Sequence, residues 1–152
     1  MTLAYEDLSE GRVFNLGPAH VSADEIIAFA KQFDPQPMHL DEEAGRASLL
    51  GGLSASGWHT CAIFMRMMYE AFISDSTAQG SPGIDELNWR RPVFPGDILS
   101  GTSTVISKRV LKSRPGIGIA RFRHEVVNGQ GETVLEGENP VLFGLRNPGD
   151  SA

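Results

Sequence analysis

A chain of 152 residues is long enough to close one hydrophobic core, and the reading is one domain over residues 1–152. Its 13 Lys and Arg against 19 Asp and Glu give a formal net charge of −6, which argues against a nucleic-acid partner, since that would demand a basic face. A single cysteine excludes an intramolecular disulfide, and neither a signal-like N-terminus nor an apolar run of roughly 18 residues occurs, so a cytoplasmic protein with no membrane partner is expected.

The first element is a helix over residues 23–33. Ser22 and Glu25 form a capping box, Val21 and Ile26 a hydrophobic staple, and Ile26, Phe29, Ala30 and Phe33 recur at helical spacing. Pro35 ends it, because the residue before a proline is pushed out of the helical region. Pro37 does the same to Gln36, so residues 34–39 should form a stiff, extended loop. Asp41 can cap a short second helix with Glu42 and Glu43 in its first turn. A small, flexible stretch follows over residues 51–57. A long helix is then expected from Gly57 to Ile73. Its residues are apolar on almost every side, and only His59, Arg66 and Glu70 interrupt, on one narrow face. Such a helix should be buried nearly all round.

After a Ser, Gly and Pro-rich loop at 74–83 the periodicity changes from 3.6 to 2. Residues 84–91, 98–111, 116–127 and 132–145 read as strands, with Ala120, Phe122, His124 and Val126 alternating against Arg121, Arg123 and Glu125. The segment Asn128-Gly129-Gln130-Gly131 joins a hairpin. Pro140 suggests an edge position or a bulge, and the tail from Asn147 should be loose. Helices first and antiparallel strands later give an α+β fold, with the sheet wrapped around the long helix. One small sheet covers only one side of a helix, so a homodimer or higher homo-oligomer is the natural completion.

Asp34 and His39 are the first candidate site. Prolines between them hold the two side chains in a fixed relation, as acid/base chemistry on a shared water requires; the plain alternative is a helix-ending Asp beside a surface His. The second is Ser54-Ala55-Ser56-Gly57. Ser56 can cap the long helix, leaving the Gly57 N–H free at its positive end, suited to a carbonyl that gains negative charge; the alternative is tight packing. His59 reads as part of a polar seam with Arg66 and Glu70, or as a second catalytic histidine. Cys61 reads as inert packing, Met65, Met67 and Met68 as core filler or an adaptable pocket, and His124 as a satisfied core group. No metal-ligand motif and no phosphate-binding loop is present.

Three blocks then stand out together. Phe29-Ala30-Lys31-Gln32-Phe33-Asp34-Pro35-Gln36-Pro37-Met38-His39-Leu40-Asp41 resembles the hydratase motif of MaoC-like dehydratases, a family that includes the (R)-specific enoyl-CoA hydratases. Ser56-Gly57-Trp58-His59-Thr60 resembles the start of their central helix, and Asn88-Trp89-Arg90-Arg91-Pro92-Val93-Phe94-Pro95-Gly96-Asp97 their following strand and turn. Order and spacing agree, and the resemblance spans about residues 8–145. It implies a hotdog fold, usually a dimer. It implies that Asp34 and His39 activate water and that the Gly57 N–H polarises the thioester carbonyl of an acyl-CoA substrate. No cofactor is implied beyond the coenzyme A of the substrate. Ser54, Ser56, Trp58, Gln36 and Met65 are the substrate-binding candidates. Related hydratases usually carry Asn where Gln36 stands, and some carry Ser where Met65 stands, so the pocket should differ. Arg90 or Arg91 could hold CoA phosphates or be ordinary exposed strand arginines. The activity expected is interconversion of a 2-enoyl and a 3-hydroxyacyl thioester. The alternatives are a thioesterase, for which Glu70, roughly four turns from Gly57, is too distant, and a non-catalytic acyl-CoA-binding subunit.

Overall fold

A computed structural model describes residues 1–149. The first helix, α1, runs Ala23–Phe33. Its cap is half of the expected box: the Glu25 N–H donates to Ser22 Oγ, but the Glu25 carboxylate accepts from the Ser22 hydroxyl rather than from the Ser22 N–H. Segment 34–39 departs from expectation. Gln36 is extended, as a residue before proline must be, but Pro37–His39 closes a 3₁₀ turn, with the His39 N–H donating to Gln36 O. Pro37 opens that turn because its fixed φ already suits it and its missing N–H is not needed there. Asp41 caps α2, Glu42–Arg46, by accepting from the Ala44 N–H.

The long helix α3 spans Gly57–Met68 and continues as a wider π turn over Tyr69–Ile73. It is not buried all round in the single chain. Met67, Met68 and Phe72 pack inward, while Trp58, Met65 and Tyr69 are 60, 45 and 46% exposed. One sheet supplies one covering surface, so the opposite stripe stays open. Nor do His59, Arg66 and Glu70 form a seam. His59 is buried under Phe29, its ring stacked at 4.8 Å, whereas Arg66 and Glu70 form an exposed ion pair with each other. Among the described residues no helix is long and apolar enough to cross a membrane.

Five antiparallel strands form one sheet. β1 is Val13–His20, β2 Glu86–Trp89, β3 Ile98–Val110, β4 Ile117–Val127 and β5 Thr133–Gly144, in the order β1-β3-β4-β5-β2. Four were expected; β1 was not. Gly17-Pro18 interrupts its pattern, and pairing with β3 shifts register between Leu16 and Ala19, so no clean alternation marks it. Pro140 lies on β5 just past the end of β2, where no neighbouring strand needs its missing N–H. The tail expected to be loose from Asn147 falls partly outside the described residues; the Asn147 N–H itself donates to Glu6.

The core is the interface between α3 and the sheet. Phe72 stacks on Phe14 at 4.2 Å and on Phe122 at 5.7 Å, with Leu135 and Phe143 alongside. Full burial of each such side chain is worth about 1.5–3 kcal/mol. His124 lies on the same face at 5% exposure. Its Nδ1 pairs with the Ser103 hydroxyl at 2.8 Å and its Nε2 with Asn139 Oδ1 at 2.6 Å, so both nitrogens are satisfied. Burial lowers its pKa, and burial also lowers that of His59. Below about pH 6.5 the unfolded chain therefore takes up protons that the fold resists, and stability falls; above it both states hold neutral rings and the effect vanishes. Melting temperature should drop as pH is lowered from about 7 to about 5, and His124→Gln should flatten part of that slope. A slope unchanged in His124→Gln would remove His124 from this explanation.

Candidate active site

The end of α1 and the start of α3 meet at one pocket. Asp34 caps the C-terminal end of α1, its N–H donating to Ala30 O, and its carboxylate turns toward α3. Oδ2 accepts from the Ser56 hydroxyl at 2.7 Å and Oδ1 from Gln36 Nε2 at 2.7 Å. Ser56 is the N-cap of α3, also accepting from the Trp58 N–H. One serine hydroxyl thus ties the carboxylate to the positive end of the helix. The Ser56 bond, then the Gln36 bond, holds the Asp34 pKa below the usual carboxylate range, with His39 adding a smaller pull.

His39 closes the other side at 4% exposure. Its Nδ1 lies 2.7 Å from Ser54 O. A carbonyl only accepts, so Nδ1 carries the hydrogen and a neutral ring presents a bare lone pair at Nε2. That Nε2 faces Asp34 Oδ2 at 3.5 Å. Two acceptors so close are well placed to share one water, which would donate to both.

The third group is Gly57, the first residue of α3. Its N–H has no acceptor among the described residues. Trp89 explains why glycine stands here. The indole Nε1–H donates to Gly57 O at 2.9 Å, and the ring covers the Cα so closely that a Cβ would lie 2.6 Å from a ring carbon. Trp89 belongs to the site, and only the pairing of β2 with β5 brings it there. It also meets Trp58 edge-on at 5.1 Å.

Asp34, Gln36, His39, Gly57 and Trp58 all line a pocket of about 460 Å³. Ser54 and Ser56, expected to touch substrate, stand behind its wall, both fully buried. Ser54 presents its carbonyl to His39, and its own hydroxyl has no partner among the described residues. Met65 lies two turns along α3 in a second, mostly apolar cavity of about 360 Å³, with Cys61, Phe64, Met68 and His124. His59 lines neither. Among the described residues no three His, Cys, Asp or Glu side chains are grouped to hold a metal ion.

Removing the Ser56 hydroxyl separates its two roles. Ser56→Ala should cost about 1 kcal/mol as a lost helix cap. It should also let the Asp34 pKa rise, moving the acidic limb of the kcat/KM profile to higher pH. A profile that stays in place while stability falls would limit Ser56 to capping.

The profile of the family described as "MaoC like domain" matches residues 8–128. The Bacillus subtilis protein YdeM is 33% identical over 139 residues, spanning 91% of this chain and 96% of that one. The crystal structure of a MaoC-like dehydratase from Rhodospirillum rubrum is 42% identical, with a TM-score of 0.87 over 95% of this chain and 99% of the other. The (R)-hydratase PhaJ1 of Pseudomonas aeruginosa shares the fold at 20% identity, with a TM-score of 0.77 over 95% and 88% of the two chains. The hotdog architecture, a central helix wrapped by an antiparallel sheet, recurs among the matched structures. The chain belongs to the MaoC-like dehydratase family.

Proposed function

We propose that this protein is a hydro-lyase interconverting a 2-enoyl thioester and a 3-hydroxyacyl thioester, with coenzyme A as the thiol. One observation carries the reading. Asp34 Oδ2 and His39 Nε2 converge at 3.5 Å on the wall of a pocket that Gly57, whose N–H has no acceptor among the described residues, also lines.

In hydration, a water held by both groups attacks C3 of the enoyl group. His39 Nε2 takes the proton, since Nδ1 is already committed to Ser54 O and Nε2 presents its free lone pair toward the shared water. The electron pair of the double bond moves onto the thioester oxygen, where the Gly57 N–H and the end of the helix receive the charge. The imidazolium, stabilised by Asp34, then returns its proton to C2. Dehydration is the reverse, and atoms balance with no further reagent. The pair titrates as a unit, so its pH profile reports both groups together.

The test is a spectrophotometric assay of enoyl absorbance on a panel of 2-enoyl-CoA esters. The expected result is loss of absorbance without release of free thiol. Thiol release would favour a thioesterase, and binding without either change an acyl-CoA-binding subunit.

The same reading includes a homo-oligomer. Trp58 and Met65 on α3, Tyr69 in the π turn after it, Trp89 on β2 and Ile84 just before it leave large apolar side chains 44–61% exposed, and β2 has a free edge. Sedimentation should give at least twice the chain mass of 16.5 kDa; a monomer at micromolar concentration would contradict this.

A further inference from the structure

We infer that Arg90 and Arg91 form an anion subsite at the rim of the pocket and take the phosphate that ends the substrate's pantetheine arm. The inference rests on the thioester reading above and adds how the thiol carrier is recognised.

Both side chains line the pocket that Asp34, His39 and Gly57 share. Among the described residues they are its only permanently cationic lining. This matters in a chain of net charge −6, whose overall field repels a polyphosphate. An anionic substrate needs local cations to offset that repulsion, and here they stand at the mouth. The backbone that carries them is fixed. The Arg90 N–H donates to Val134 O at 2.9 Å, and Pro92 follows directly, restricting Arg91.

Each guanidinium also retains donors. Arg90 uses Nε and one terminal nitrogen on Glu136 and has Nη1 left, while Arg91 engages Glu132 through Nη1 alone, at 3.2 Å. A guanidinium has five N–H donors in a planar fork that fits phosphate oxygens. The two arginine side chains are 54 and 56% exposed. The Arg91–Glu132 pair is exposed on both sides and therefore weak, so an anionic phosphate can share or displace Glu132, while Arg90 offers its remaining donors without leaving Glu136. Glu136 is further held by Arg123, which limits how far it follows Arg90 into the pocket.

The phosphate is common to coenzyme A and to the prosthetic arm of a carrier protein, and the test has an arm for each. The same 2-enoyl group is presented on coenzyme A, on a phosphopantetheinylated carrier protein and on pantetheine without phosphate. In the Arg90→Ala/Arg91→Ala variant, kcat/KM for the CoA ester should fall at least tenfold, mainly through KM, while the pantetheine ester is unaffected. A matching fall with the carrier-protein ester supports the subsite, and a fall with the CoA ester alone, which would put the arginines on the nucleotide phosphates instead, overturns it. An equal fall with all three overturns the subsite. Glu132→Gln breaks the Arg91 pair but keeps the cation, so KM for the CoA ester should hold or decrease; a rise matching that of Arg91→Ala would mean the pair is merely structural and would overturn the subsite. Calorimetric titration with coenzyme A itself separates this inference from the proposed reaction. Binding to the wild-type chain that is lost in the double variant supports the subsite even if no ester is hydrated, and binding that persists in the variant sinks it even if the enzyme turns over.

Discussion

Asp34→Asn and His39→Ala should each lower kcat for a 2-enoyl-CoA ester by about 10²–10⁴-fold, the range a positioned acid/base group contributes. The two losses should not add. The proposed chemistry needs the carboxylate and the imidazole on one water, so the double variant should be about as slow as the slower single one. Stability should separate them. Asp34→Asn keeps the shape of the side chain and one oxygen to accept from Ser56, but its amide NH₂ cannot accept from Gln36, so that variant should lose some stability, less than His39→Ala. His39→Ala removes a buried ring and leaves Ser54 O unpaired, at a cost of about 1–3 kcal/mol. Wild-type rates in either folded variant would remove that residue from the mechanism. A double variant slower by the product of the two single effects would mean that the residues act at separate steps.

The second large effect is expected at Gly57, where a methyl group meets a wall. Gly57→Ala places a Cβ 2.6–3.1 Å from three atoms of the Trp89 ring. The ring must move, which breaks its bond to Gly57 O and disturbs the edge-on contact with Trp58. Overpacking of this kind costs about 1–3 kcal/mol. Turnover should fall as well, because the displaced indole lies in the same pocket as the open N–H. Adding Trp89→Ala should recover part of the lost stability by vacating the space, so the cycle of single and double variants should show a favourable coupling. If Gly57→Ala melts like wild type, the close contact is relieved by a small backbone shift, and Trp89 is not what requires glycine at this position.

Much of the site was legible because its signals are local. The Ser22 cap on the Glu25 N–H, the Pro35 stop after Asp34, the Asp41 cap and the Gly57 start each depend on residues within one turn of one another. The strand alternation through Ala120, Phe122, His124 and Val126 is equally local, and the structure buries all four. Other features had no such signal. β1 hid behind Gly17-Pro18. The 3₁₀ turn at Pro37–His39 competes with an extended loop that the same prolines permit. The stripe shared by His59, Arg66 and Glu70 follows from helical geometry, but which part of it is covered depends on α1, which brings Phe29 over His59 alone.

The sequence by itself determined where α1, α2 and α3 begin, where α1 stops, and which strand faces are apolar. Capping, proline restriction and side-chain periodicity act over a few residues, so they can be read directly from the chain. Tertiary structure alone decided that Ser56 grips Asp34 across 22 positions, that the Ser54 carbonyl sets the tautomer of His39, and that Trp89 lies over Gly57. Those contacts are made by segments far apart in the chain, and their geometry exists only once the sheet has folded around α3 and fixed where each segment lies.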